Sequence, residues 1–310
     1  MTAPRRLAAA ALLPPIVWGS TYAVAGSAFP VHSPILEVEL RLVPAAAVAL
    51  LVPGLRSLAA PAKTATLGLL NFTFAFYGLF LAIRYLPGGT AAVLIASQPI
   101  ITMLLMRGLY RRHLETRQWV AGLSGLAGVA LVVSANLERG ALAGVLGALG
   151  CVLSQALGAV LIDRWSGDFD ARGSLAWQLT LGALVAMPFA LVAAPSVELT
   201  WQLGAAVAYV SVLGTTVCAL IWYGTITRMS PSRASLLLLL VPVVALILDG
   251  VTGATDNTPT EWVGALVVIG SVLVGTRRPV AEPAPPAPSS DRVPALVRGH
   301  PADTRRTNHT

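Results

Sequence analysis

Three charged residues stand in the opening turns of an otherwise apolar stretch, PILEVELRLVPAAAVALLVP, at residues 34–53. Glu37 and Arg41 are four positions apart, so a helix places them on one face, where acid and base can pair, while Glu39 points roughly opposite. One interpretation is that Arg41 binds a carboxylate or phosphate-like group of a substrate, with Glu37 holding it or exchanging a proton. A second is a fixed pair between helices, and a third places both glutamates in the outer headgroup region.

Aromatic and hydroxyl side chains form a second cluster in the first apolar stretch. Trp18 and Tyr22 are four positions apart and share a helix face, and Ser20 lies between them in the sequence. Flat apolar rings that also carry an N–H or O–H group suit an organic substrate with both apolar and polar parts, or a cation. An interfacial aromatic anchor is the usual alternative, but Trp18 is mid-span, which favours a position in a cavity wall.

Prolines interrupt two later stretches. In ASQPII, Pro99 cannot bond the carbonyl of Ile95, and Ser97 and Gln98 place hydroxyl and amide groups beside that break, where a substrate could meet them. Pro242 repeats the kink without polar neighbours. Each proline is interpreted either as a gating hinge or as a static kink.

Other polar residues are scattered through the apolar stretches. If the chain contains two repeats, as argued below, Gln155 lies in the helix of the second repeat that corresponds to the first span, which makes it a candidate cavity group. Single amides in membrane helices, however, often only hydrogen-bond to a neighbouring helix. Asp249 is near the outer end of its stretch and is expected to be solvated. The other members of this set are Asn71, Tyr77, Ser154, Gln178, Tyr209, Trp222 and Tyr223.

The elements that position these residues are predicted to be transmembrane helices. Apolar residues make up 55% of the chain, charged residues 11%, and the mean hydropathy is +0.74, whereas soluble domains carry about 25% charged residues. Continuous apolar stretches of about 20 residues, the length that crosses a membrane, predict an all-α integral membrane protein with ten spans. These stretches are residues 7–26, 34–53, 64–83, 88–108, 117–135, 140–162, 173–194, 202–223, 232–251 and 260–276.

Basic residues are distributed unequally between the predicted loops. With the N-terminus in the cytoplasm, only Arg84 and Arg139 fall outside, and fourteen bases fall inside: Arg5, Arg6, Arg56, Lys63, Arg107, Arg111, Arg112, Arg117, Arg164, Arg172, Arg228, Arg233, Arg277 and Arg278. This bias predicts cytoplasmic N and C termini. Residues 277–310, rich in Pro, Ala and Arg, are predicted to form a disordered cytoplasmic tail. The net charge of +7 does not indicate nucleic-acid binding, because no compact basic domain is evident.

An internal repeat divides the chain into two halves. Residues 84–105 match residues 227–248 at an offset of 143, with the pairs Ala91/Ala234, Leu94/Leu237, Pro99/Pro242 and Leu105/Leu248, and Trp119/Trp262 further on. We therefore predict one repeat over residues 1–137, a second over residues 138–276 and the tail over residues 277–310. Because each repeat has five spans, an odd number, the two are inserted in opposite orientations, an arrangement that secondary transporters use for alternating access.

The sequence also resembles a known family. PPIVWGSTYAV, LRLVPAA, LPGGTAAVLIASQPIITMLL, RQWVAGLSGLAGVALVV and SPSRASLLLLLVPVVALIL resemble the EamA-type branch of the drug/metabolite transporter superfamily. This resemblance implies a ten-helix bacterial carrier with inverted five-helix repeats and a central cavity, exporting metabolites, amino acids or amphiphilic compounds, and Arg41 fits the second-span arginine of the family. The family commonly has a glutamate thirteen residues after each repeat proline, where this chain has Arg112 and Thr255.

These observations favour a secondary transporter in the bacterial plasma membrane, driven by a substrate gradient or by protons. The sequence has no HExxH, GxSxG or P-loop motif and no Cys/His cluster, so we expect no enzyme activity, metal or cofactor. The alternative is an intramembrane enzyme acting on a lipid or isoprenoid carrier, with Glu37, Glu39 or Asp249 as a base. The expected partners are a small-molecule substrate and the lipid bilayer, not nucleic acid, and the sequence also allows a homodimer.

Overall fold

The structure, a computed structural model, describes residues 3–29, 33–111, 115–134, 141–193, 198, 200–226, 238, 240–253 and 258–276. All of them belong to the first of two compact units, Met1–Arg277, and the second unit is Arg278–Thr310. The described residues are mostly helical, and no strand occurs among them. The all-α prediction is therefore confirmed. Arg112 and Thr255, where the chain departs from the family pattern, lie outside the described residues.

Several helices begin where the sequence supplies a proline. Pro34, Pro61 and Pro259 each occupy a first helical position, where the missing N–H costs nothing. The helices are α1 Ala3–Ala28, α2 Pro34–Leu50, α3 Pro61–Tyr85, α4 Gly88–Tyr110, α5 Thr116–Ser134, α6 Ala141–Trp165, α7 Leu175–Ala193, α8 over residues 201–226, α9 Leu240–Thr252 and α10 Pro259–Thr276.

By length and composition, five helices in the described part of the chain could cross a membrane. They are Pro61–Tyr85, Gly88–Tyr110, Leu142–Trp165, Leu175–Val192 and Trp201–Trp222. The helices Leu240–Thr252 and Pro259–Val274 are apolar but shorter. The ten crossings and the cytoplasmic termini stay predictions.

Helices from the two predicted halves pack against each other throughout the bundle. The main neighbours are α5 with α10, α3 with α6, α2 with α7 and α1 with α9. Each of these pairs takes one helix from before residue 137 and one from after it. The core, which includes Leu42, Phe80, Leu175 and Leu179, is therefore shared between the halves.

The third helix of each half contains a π-helical segment. These segments are Leu69–Phe74 in α3 and Tyr209–Val217 in α8. Thr73 in the first donates its hydroxyl to the carbonyl of Gly182 in α7, and Thr216 in the second donates to the carbonyl of Ala45 in α2, both at 2.9 Å. Thr73 and Thr216 are 143 residues apart (216 − 73), which is the repeat offset read from the sequence. Each bond thus joins the third helix of one half to the second helix of the other half.

Glycines allow the closest helix approaches. A Cβ at Gly78 in α3 would lie 2.5 Å from the carbonyl oxygen of Gly147 in α6, and one at Gly128 in α5 would lie 2.9 Å from that of Gly264 in α10. From their small-residue spacing alone, the glycines of α5 and α6 are expected to bring these two helices together. In the structure, these glycines instead lie where α5 packs against α10 and where α6 packs against α3.

We predict that Gly78→Ala destabilises the protein, while Gly150→Ala does not. A methyl group at Gly78 meets backbone, which cannot rotate away, so we expect a loss of about 1–3 kcal/mol. Gly150 has no atom within 4 Å of an added Cβ, so alanine there should be neutral or gain up to about 1 kcal/mol from helix propensity. Thermal unfolding in detergent measures both changes, and equal midpoints for the two variants would contradict the packing of α3 on α6.

Candidate functional site

A cavity of about 280 Å³ lies between helices of both halves. Its wall combines aromatic rings with a small number of polar groups, as small-molecule sites usually do. The aromatic residues in the wall are Trp18, Tyr22, Phe72, Phe76 and Trp222, and the polar ones are Thr21, Arg41, Asn71, Gln98, Gln155 and Thr215. Among the lining residues that the structure describes, Arg41 is the one with a charged side chain.

Arg41 is held in the cavity wall on two sides. Only 3% of the residue is exposed. Its Nε donates to Thr215 Oγ1 at 2.9 Å, and its Cζ lies 3.9 Å from the ring centroid of Phe76, a cation–π contact. The Nη1 atom has no hydrogen-bond acceptor among the described residues. The guanidinium is thus oriented but only partly satisfied.

The π-helical segment of α8 supplies the hydrogen-bond partner of this arginine. Thr215 donates its own hydroxyl to the carbonyl of Val210, five residues earlier, at 2.9 Å, so its oxygen is left to accept from Arg41. Gly214 and Thr215 line the cavity from α8, and Asn71 and Phe72 line it from α3. Gly214 follows Asn71 by 143 residues, and Thr215 follows Phe72 by the same offset. π-Helical turns are frequent at functional sites, and here the two segments contribute equivalent positions to one cavity.

The first-span cluster is split by the structure. Trp18 lines the cavity, donates Nε1–H to the carbonyl of Gly214 at 2.8 Å and packs edge-on against Trp222, with ring centroids 5.5 Å apart. Tyr22 is buried and also lines the cavity. Ser20 does not line it, because its Oγ donates to the carbonyl of Val17 and lies 2.6 Å from the Tyr209 hydroxyl.

The residues around Pro99 are also divided. The helix α4 is interrupted between Gly88–Ile95 and Gln98–Tyr110, so the predicted break is present in the backbone. Gln98 and Pro99 line the cavity. Ser97 does not, because its hydroxyl turns back to the carbonyl of Leu94 at 2.7 Å. The hinge role of Pro99 stays a prediction.

Gln155 and Pro242 take different positions relative to the cavity. Gln155 lines it, and its Nε2 lies 3.7 Å from Cys151 Sγ, one turn earlier on α6. Pro242 is buried in the first turn of α9 and does not line the cavity, although its neighbour Val241 does. The hinge role of Pro242 likewise stays a prediction.

The charge pair expected between Glu37 and Arg41 is not formed. The Arg41 guanidinium turns towards Thr215 and Phe76, while Glu37, one turn nearer the start of α2, does not line the cavity. Glu37 and Glu39 are 7% and 5% exposed, so both are packed inside the bundle. Neither carboxylate oxygen of Glu39 has a hydrogen-bond partner among the described residues. The i, i+4 spacing permitted the pair, but more distant neighbours determined where the arginine points.

Two buried carboxylates, one on α9 and one on α10, contact the start of α4, and the sequence did not predict their burial. Asp249, expected to be solvated, is only 2% exposed and accepts from the backbone N–H of Gly89 at 2.5 Å. Glu261 accepts from the Thr90 hydroxyl at 2.7 Å and from the backbone N–H of Thr258. These bonds tie α4 to α9 and α10. The sequence pattern contained no signal for this contact, because the three helix ends meet only in the folded bundle.

Other lining residues were missed or left without a role by the sequence. Asn71 and Trp222 were among the scattered polar residues, and both line the cavity, whereas Tyr77 is exposed. Thr215 and Phe76 were not singled out. The adjacent threonines in GTTVCAL are a polar signal inside an apolar stretch that could have indicated Thr215, whereas Phe76 has no such signal.

Comparison with known proteins gives the family context of this cavity. The EamA-like transporter family matches residues 6–134 and again residues 142–276. Protein PecM of Dickeya dadantii (strain 3937) is 29% identical over 278 residues, which cover 87% of this chain and 94% of PecM. The "Uncharacterized inner membrane transporter YedA" of Escherichia coli (strain K12) is 28% identical over 287 residues, covering 87% of this chain and 90% of that protein.

A solved crystal structure shares the fold. It superposes with a TM-score of 0.64 at 18% sequence identity, over 88% of this chain and 96% of the other. At that identity the likeness concerns the fold alone.

We predict that cysteines at lining and non-lining positions differ in reactivity towards a small hydrophilic thiol reagent. In a background carrying Cys151→Ala and Cys218→Ala, Gln98→Cys and Gln155→Cys should react at least about tenfold faster than Ser97→Cys and Ser20→Cys, because thiol reaction needs access to water. Labelling rates in membranes measure this difference. Ser97→Cys is the matched control for Gln98→Cys, and equal rates at these neighbouring positions would contradict the cavity described above.

Proposed function

This chain belongs to the EamA-like transporter family and is a multi-pass membrane protein, and we propose that it is a secondary transporter of the bacterial inner membrane. It exports small metabolites, amino acids or amphiphilic compounds by alternating access. The observation that carries this proposal is the cavity between the two halves, with aromatic walls and Arg41 as its charged group. Trp18, Tyr22, Arg41, Gln98 and Gln155 are the proposed substrate contacts.

Two inverted repeats of five spans, residues 1–137 and 138–276, would give this cavity its symmetry. The two separate family matches support this division. So does the bond made by Thr73 in one half and by Thr216 in the other. A site between inverted repeats can be opened to either side when one half rocks against the other.

Contacts between the halves suggest which end is closed in this structure. With the predicted topology, the Asp249–Gly89 and Glu261–Thr90 bonds lie at the outer end of the bundle. Both bonds join the first half to the second, so the halves must separate there before the cavity opens outwards. Gln98, Trp222 and Leu238, in contrast, extend the cavity wall towards the predicted cytoplasmic side.

Energy is proposed to come from the substrate gradient or from protons. Glu37, one turn from Arg41 on α2, remains the candidate proton carrier of the charged stretch, although the two side chains are not paired here. An intramembrane enzyme is not supported, because the relatives are named as transporters. In addition, Glu37, Glu39 and Asp249, the bases that such an enzyme would use, do not line the cavity.

Arg41→Ala is expected to reduce efflux of a substrate by at least about tenfold, the effect of losing one charge-assisted hydrogen bond of about 1.5–3 kcal/mol. Proteoliposomes loaded with labelled amino acids, nucleosides and amphiphilic compounds provide the measurement. Arg107→Ala, which removes the same side chain from the last turn of α4, is the control. If Arg41→Ala exports the substrate as fast as the wild type at equal protein content, Arg41 does not bind the substrate. If the wild type exports none of the panel compounds, the result contradicts the transporter proposal.

Asp249→Ala is expected to favour opening of the outer end. It removes the acceptor of the Gly89 N–H and leaves that group buried, which weakens the closed form by about 1–3 kcal/mol. The rate at which a membrane-impermeant thiol reagent, added outside intact cells, modifies Gln155→Cys should therefore rise about tenfold. Thr252→Ala is the control, because Thr252 lies at the same end of α9 but donates its hydroxyl to the carbonyl of Leu248 in its own helix. An unchanged rate in the Asp249 variant would show that this bond does not close the cavity.

A further inference from the structure

The cavity contains a positive charge without a negative one to balance it. No aspartate or glutamate belongs to the described lining residues, and Arg41 forms no ion pair with any described residue. A charge buried in a membrane protein is costly unless it is paired or hydrated. A bound anion would supply the missing pair, whereas a bound cation would add a second uncompensated charge.

The geometry of Arg41 defines how such an anion would bind. Thr215 occupies Nε, and the face of the guanidinium lies against Phe76, so the side chain is already oriented before a ligand arrives. Nη1 is itself buried and has no acceptor among the described residues. The bond to Thr215 is the hydrogen bond that Arg41 forms with described residues, so an acceptor oxygen of a ligand can bind another N–H of the guanidinium without displacing it. A preorganised donor loses little entropy on binding.

The rest of the wall indicates the remainder of the ligand. Trp18, Trp222, Tyr22 and Phe72 present ring surface to the same space as Arg41. Flat apolar surface of this kind favours a planar or apolar body over a strongly hydrated one. A single guanidinium balances one negative charge, so a doubly charged phosphate would keep an excess charge in the cavity.

We propose that the substrate class of this cavity is a small organic monoanion, a carboxylate with an apolar or aromatic body, bound through the guanidinium of Arg41. This inference rests on the proposed transport function of the same cavity and narrows it. Among the broad classes named above, it selects acidic compounds and rejects amphiphilic cations.

A matched ligand series tests the proposal by direct binding. The probes are 3-phenylpropionate, 3-phenylpropionamide and 3-phenylpropylamine, which share one body and differ in charge. The full chain in nanodiscs is titrated with each, and tryptophan emission excited at 295 nm reports binding because Trp18 and Trp222 line the cavity while the phenyl probes do not absorb there. We expect the carboxylate to bind about tenfold or more tightly than the amide, and the amine to bind weakest.

Variants separate charge from shape. Arg41→Gln should abolish the preference for the carboxylate over the amide, Arg41→Lys should retain it in weakened form, and Arg107→Gln should leave all three affinities unchanged. The proposal is overturned if the amide or the amine binds as tightly as the carboxylate, or if Arg41→Gln leaves the preference intact. Absence of binding by all three probes also overturns it, while efflux of another panel compound would leave the transporter proposal standing.

A second measurement does not depend on the folding of an Arg41 variant. Gln155→Cys, in the background without Cys151 and Cys218, is modified with an anionic sulfonatoethyl or a cationic trimethylammonioethyl methanethiosulfonate. With rates normalised to those of free cysteine, the anionic reagent should react about tenfold faster, because it enters a positively charged cavity. Faster reaction with the cationic reagent would overturn the proposal of an anionic substrate. Efflux assays test the transport function separately, so the two proposals can fail independently.

Discussion

The chemistry of the cavity depends on a guanidinium that is buried without an opposing carboxylate from the described part of the chain. Arg41 is kept in place by a neutral hydroxyl and an aromatic ring, which orient it but do not neutralise it. An ion pair with Glu37 would have satisfied the arginine internally and left little electrostatic attraction for a ligand. Without that pair, Arg41 has no carboxylate partner among the described residues, which is what the proposed binding of an anion requires.

This arrangement depends in turn on the π-helical segments. Thr215 can accept from Arg41 because its own hydrogen is donated to the carbonyl of Val210, five residues back. The same segment anchors Thr216 to α2, the helix that carries Arg41. One local change of helical pitch therefore fixes both the distance between α8 and α2 and the orientation of the cavity's charged group.

The two halves are similar in construction but differ in what they contribute. The third helix of each half bonds through an equivalent threonine to the second helix of the other half. The π-helical segment of α3, however, brings Asn71 and Phe72 to the wall, and that of α8 brings Gly214 and Thr215. The second half also provides the carboxylates that accept hydrogen bonds from the start of α4. Equivalent packing contacts are thus present in both halves, while the residues that line the cavity or meet the start of α4 differ between them.

The sequence alone determined that this is an all-helical membrane protein, because the length of apolar stretches is a local property that does not depend on which helices meet. Its motifs also resemble those of the family to which the chain belongs. It also indicated Trp18, Tyr22, Arg41, Gln98 and Gln155, whose polarity is conspicuous within apolar stretches and which all line the cavity. Their contact with a substrate stays a prediction.

Only the tertiary structure decided the partners of these residues. Arg41 could reach Glu37 by local spacing, but Thr215, 174 residues away, and Phe76 hold it instead. Asp249 is buried rather than solvated because the start of α4 arrives beside it. Side-chain direction and burial depend on contacts between helices distant in sequence, and periodicity within one helix carries no information about them.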